Sequence, residues 1–94
     1  MILTSQFTID RKEIFESLFS DYYGALVCYA TKYIKREDIA EDLVQDLFVS
    51  LWEGHHVFPS QAALRSFLYI SLKNAALDYL KHLNVENQYI EEAL

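Results

Sequence analysis

Five carboxylates crowd one stretch of this chain: Glu37, Asp38, Glu41, Asp42 and Asp46. Steps of three and four residues put them at neighbouring positions of a helix, an arrangement that invites a divalent cation and phosphate chemistry. A magnesium site of that kind needs carboxylates from more than one helix around a phosphate-binding cleft, and only one cluster is present. Glu13 and Glu16 are spaced for a solvated face. His55 and His56 are adjacent, so their side chains diverge and make a poor pair of metal ligands. The chain has no glycine-rich phosphate loop, no Ser/His/Asp set and no paired cysteine motif. The expectation is a protein without catalytic residues, metal or cofactor.

The acids gain a different meaning from the element that carries them. Over residues 38–53, Ile39, Ala40, Leu43, Val44, Leu47, Phe48 and Leu51 form one broad apolar face at helical spacing. Asp38, Asp42 and Gln45 line the opposite face and Glu41 and Asp46 flank it, yet Val49 and Trp52 sit among them. A large aromatic inside a polar surface suits the centre of a protein contact, and the acids predict a basic partner. Alternatively, Trp52 ends the helix and folds back under the following loop; the pattern leaves both readings open.

Three other segments frame that helix. The first spans about 10–34, with Asp10 as N-cap, Glu13 as its capping-box partner and Ile9 with Ile14 as a hydrophobic staple. A bend near residues 21–24, around Gly24, divides it into two helices end to end. Tyr22, Tyr23, Tyr29 and Tyr33 offer a base-stacking surface, but they fall mainly on the apolar stripe and read as core. Cys28, in the same run, reads as a buried thiol. Lys35, Arg36 and Glu37 form the turn, and Asp38 with Glu41 repeats the capping-box spacing. After residue 53, Gly54 and Pro59 break the pattern and Ser60 caps a last helix over about 61–83. Leu64, Leu68, Leu72, Ala75, Tyr79 and Leu83 form its inner side, with Ser66, Lys73, Asn74 and Lys81 on the other.

Bulk properties set limits. Ninety-four residues with 52% hydrophobic composition make one domain with a dense core. One cysteine permits no internal disulfide and fits a reducing cytosol, so a cytoplasmic protein is expected. No secretion signal and no apolar run near the roughly 20 residues of a membrane span is present, so no membrane insertion is expected. A net charge of −6 disfavours a protein that coats duplex DNA. The charge is uneven: residues 1–53 carry five basic and ten acidic side chains, residues 54–84 three and one, and residues 85–94 three acids. Such a division suits a module whose acidic half meets a protein and whose basic part meets nucleic acid.

The run A-E-D-L-V-Q-D-L-F-V-S-L-W-E (residues 40–53), followed after the Gly/Pro loop by L-R-S-F-L-Y-I-S-L-K-N-A-A-L-D-Y-L-K-H (residues 64–82), closely resembles conserved region two of extracytoplasmic-function (ECF) sigma factors, which initiate bacterial transcription. The resemblance covers roughly Phe15 to His82. It implies an all-α, compact bundle of about four helices. It also implies that the central helix docks on the clamp helices of RNA polymerase, through Asp42, Gln45, Asp46, Val49 and Trp52. By the same resemblance the following loop captures an unstacked base of the single-stranded minus-ten promoter element, with Val57 and Phe58 as a candidate wall. One of these two is expected to plug the core instead. Lys73 would meet a phosphate and Asn74 a base or sugar, with Ser66 and Lys81 on the same face. Ile70, Leu77 and Asp78 depart from the family's more basic helix, so DNA contact is expected to be weak in isolation.

The resemblance further implies a helix-turn-helix domain for the minus-thirty-five element beyond the acidic tail, so this chain reads as a fragment. It leaves open the promoter, the inducing signal and any anti-sigma factor. The alternative readings are a helical protein-interaction module without a nucleic-acid role and, third, an all-helical nucleotide pyrophosphatase.

Overall fold

Leucines and other apolar side chains at steps of three and four residues dictate helices with one dry face, and three such faces close on one another. The computed structural model describes residues 7–8, 11–54 and 56–93. Among these it contains β1 (Phe7–Thr8), α1 (Lys12–Ile34), α2 (Glu37–Gly54), β2 (Val57–Phe58) and α3 (Gln61–Ala93). Leu18, Leu26, Val27 and Ala30 of α1 meet Ala40, Val44, Phe48 and Leu51 of α2 and Leu64, Leu68 and Leu72 of α3 in a single core. Each fully buried leucine contributes about 2 kcal/mol of transfer free energy.

Where about four helices are expected, the described residues hold three, because α1 does not divide at Gly24. That glycine is exposed, with nothing within 4 Å of where a Cβ would stand. It costs only the intrinsic penalty of about 1 kcal/mol. Buried Leu18 before it and Leu26 after it hold both halves to the same core. The expected cap and staple residues Asp10 and Ile9 lie outside the described residues; the helix starts at Lys12, with Arg11 in extended backbone at the N-cap and no side-chain capping bond. Cys28 is exposed rather than buried, since it faces the cleft between α1 and α3.

The α1–α2 turn is built on Lys35, whose φ of 67° places a non-glycine residue in the left-handed region and whose N–H donates to the Thr31 carbonyl at 3.0 Å. Arg36 then accepts the Ala40 N–H on its carbonyl, so it is the first residue of the α2 entry. The capping box expected at Asp38 and Glu41 is not used. Asp38 is instead taken by the Arg36 guanidinium at 2.7 Å, and Glu41 by Tyr23 of α1. Glu37 and Asp38 still place negative charge in the first turn, where the helix dipole favours it.

Beyond α2 the chain reverses over a short link. A Cβ on Gly54 would lie 2.5 Å from His56 Nε2, so a larger residue there would require the imidazole to shift. His56 packs on the rings of Phe58 and Phe67; His55, read beside it as a poor partner for metal, lies outside the described residues. Strand β2 pairs antiparallel with β1 in the register Phe7 to Phe58 and Thr8 to Val57. Ser60 caps α3 as expected, its Oγ accepting the Ala63 N–H at 3.1 Å.

Helix α3 outruns its expected end near residue 83 and continues to Ala93, because no glycine or proline interrupts residues 82–93. Its core contribution stops earlier. Leu64, Leu68, Leu72 and Ala76 are fully buried, Ala76 taking the place expected of Ala75, and Leu83 is exposed. A four-residue step from each leucine to the next keeps the seam on one side, which selects Ala76 over its neighbour.

Candidate functional site

Two surfaces of this bundle carry the side chains singled out by sequence. The first lies on α2. Asp42, Gln45, Asp46, Val49 and Trp52 are all exposed, on the side away from buried Ala40, Val44, Phe48 and Leu51. Val49 is 54% and Trp52 37% accessible, so two large apolar groups stand within a rim of acids and an amide.

Trp52 does not fold beneath the following loop. Its ring packs at 5.0 Å from that of Phe15 on α1. Phe15 and Phe19 both reach the buried Phe48 ring, at 6.0 and 5.0 Å, and Tyr23 stacks on Phe19 at 4.7 Å. This aromatic row runs along the α1–α2 seam and holds the indole upright. Lys12, Phe15, Glu16, Val49 and Trp52 line a shallow groove there of about 420 Å³. Sequence reasoning missed the contribution of α1: Phe19 reads as core but is 38% exposed. The available signal was the four-residue spacing of Phe15, Phe19 and Tyr23, which makes one aromatic stripe.

Polar order accompanies the packing. The Tyr23 hydroxyl donates to Glu41 Oε1 at 3.2 Å and accepts from Gln45 Nε2 at 3.3 Å. Gln45 is thereby oriented within the α2 face by a residue that sequence assigned to the core. At the head of the helix, the hydrogen bond from Arg36 holds the Asp38 carboxyl below its ordinary pKa.

The second surface lies on α3. Ser66, Lys73, Asn74 and Lys81 are exposed on the side of α3 away from the Leu64, Leu68 and Leu72 seam. Ile70, 60% accessible, and Leu77, 44%, stand in the middle of them. In the adjoining strand Val57 is exposed, whereas Phe58 is 8% accessible and packs on Phe67 at 5.2 Å. Phe58 is therefore the core plug and is withdrawn from the candidate DNA wall, because its ring faces are already covered. Among the described residues no three His, Cys, Asp or Glu side chains come together as a metal site, and no helix is long and apolar enough to cross a membrane.

With this geometry fixed, comparison with known proteins is decisive for the family. The Sigma-70 region 2 model matches residues 18–84, a span holding every candidate residue on α2, β2 and α3. The chain belongs to the sigma-70 region 2 family. This region 2 domain is 34% identical over 56 residues to a probable RNA polymerase sigma factor of Haemophilus influenzae, covering 60% of the chain and 29% of that relative. It is 31% identical over 83 residues to the ECF RNA polymerase sigma-E factor of the same organism, covering 83% of the chain and 43% of the relative. The chain thus spans less than half the length of these curated relatives. No solved structure matches it. The acidic α2 face and the basic α3 face both lie inside the matched sigma region 2 segment, while Phe15, which supports Trp52, lies just before it.

Proposed function

We propose that this region 2 domain serves bacterial transcription initiation as a non-catalytic module that docks on RNA polymerase and receives the opened promoter strand. The observation that carries the reading is the exposed Val49–Trp52 pair inside the rim of Asp42, Gln45 and Asp46, with Gln45 oriented by Tyr23. An aromatic anchor ringed by acids is matched by a basic, helical partner surface, and the clamp helices of the polymerase β′ subunit are the proposed one.

On the other side, α3 meets the single-stranded minus-ten element. Lys73 and Lys81 contact phosphates, Asn74 and Ser66 a base or sugar, and exposed Val57 borders the place of an unstacked base. Isolated affinity for duplex is low, because the net charge of −6 leaves few phosphate contacts.

The test is a titration of the domain, bound to polymerase core, with single-stranded and duplex minus-ten oligonucleotides of the same length. Preference for the single strand that falls in Lys73→Ala and Asn74→Ala is the expected result. Equal binding of the two forms would sink the base-capture role. The exposed Ile70 and Leu77 favour a second reading, in which the α3 face binds another protein, such as an anti-sigma factor. Under that reading neither Lys73→Ala nor Asn74→Ala changes strand binding.

A further inference from the structure

Strand β1 has no part in the roles proposed above, and it lies ahead of the segment 18–84 that matches the family. Its partner is β2, in the link between α2 and α3 that carries Val57. A ladder of two residue pairs adds little to a fold already closed by three helices. What so short a ladder can do is fix the backbone it touches.

In extended chain alternate side chains share a face, so His56 and Phe58 turn one way and Val57 the other. His56 packs on the Phe58 and Phe67 rings at 5.7 and 5.1 Å, and Phe58 reaches Phe67 at 5.2 Å. These rings anchor the inward face of the link to α3 and leave Val57 53% exposed on the other. Ring packing alone does not fix the pleat, and a slip of one residue would exchange the places of Val57 and Phe58. The pairing of Phe7 with Phe58 and of Thr8 with Val57 sets that register through the backbone and keeps Val57 outward.

We propose that β1 is a positioning element for strand capture: its backbone pairing holds Val57 in the orientation that receives the unstacked base, so the link is ordered before the strand arrives. This role rests on the reading that Val57 borders that base. It gives residues 7–8, which make no contact with DNA, control over single-strand affinity.

The experiment measures binding of a labelled single-stranded minus-ten oligonucleotide, by fluorescence anisotropy, to the chain on polymerase core. Three forms are compared: the 94-residue chain, a chain lacking residues 1–8, and a Phe7→Pro, Thr8→Pro double variant that removes both strand N–H donors without shortening the chain. Circular dichroism melting checks that each is folded. Single-strand affinity should fall about tenfold in either variant, the cost of ordering roughly one residue of backbone on binding, while docking on the core is unchanged. The decisive readout is a cycle with Val57→Ala. On that background the loss of β1 should cost nothing further, whereas on a Lys73→Ala background it should cost the same as in the unaltered chain. Folded variants with unchanged single-strand affinity overturn the proposal and leave base capture standing, and so does a loss that adds in full to that of Val57→Ala. No single-strand preference in the unaltered chain overturns base capture and the positioning role together. Amide hydrogen exchange of the free, unaltered chain gives a test that needs no variant: protection within the Val57–Phe58 pair before DNA is added is expected, and free exchange of both amides overturns the proposal.

Discussion

Tyr23 shows how much rests on single atoms at the proposed docking face, since one hydroxyl spans Glu41 and Gln45. In Tyr23→Phe the ring still stacks on Phe19 and only the oxygen is lost. Affinity for polymerase core should fall by about 1 kcal/mol, roughly fivefold, with little change in thermal stability; a titration and a melting curve check the two halves. The Arg36–Asp38 pair makes a pH-dependent contribution. Asp38 titrates lower in the folded chain than in the unfolded one, so its contribution is present above the ordinary aspartate range and is lost as pH falls through the depressed folded value. Asp38→Asn should therefore flatten the acid limb of the stability curve, measured by denaturant unfolding between pH 6 and pH 2. At this scale the sequence was readable where periodicity decides, as for the exposed Asp42, Gln45 and Asp46, but it left open whether Trp52 shares their face or folds back under the loop. It could not choose between Val57 and Phe58, and it put Ala75 in the α3 seam where the four-residue step from Leu72 buries Ala76.

Elements were more legible than contacts. Ser60 and the Gly54–Pro59 break place the start of α3 correctly, though not its end, and the acids place α2 within a residue. The β1–β2 pairing was not legible, since two residues per strand leave no alternation to read. Nor was the unbroken course of α1, since an exposed glycine looks alike in a bend and in a solvated helix face. Lys35 carries the strain of the turn, and Lys35→Gly should stabilise the fold by up to about 1 kcal/mol in chemical denaturation. Phe58→Ala should cost about 3 kcal/mol by the same assay, whereas Val57→Ala should leave stability nearly unchanged and weaken single-strand binding.

For the molecule as a whole, the division of charge read from sequence becomes a division of space. Acids and an indole occupy the outer side of α2, and lysines and an asparagine occupy the outer side of α3. The core between them ties the two surfaces into one body, so a polymerase held on α2, as proposed, would set where α3 stands relative to the DNA. The claim on which the rest depends is that α2 is the docking element. Its most direct measurement is a titration of the isolated clamp helix pair of RNA polymerase with the 94-residue chain, with Asp42→Arg and Trp52→Ala variants shown by circular dichroism to be folded. Saturable binding that weakens by about 2 kcal/mol, roughly thirtyfold, in Asp42→Arg and also falls in Trp52→Ala is the predicted result. Unchanged affinity in both folded variants would contradict it.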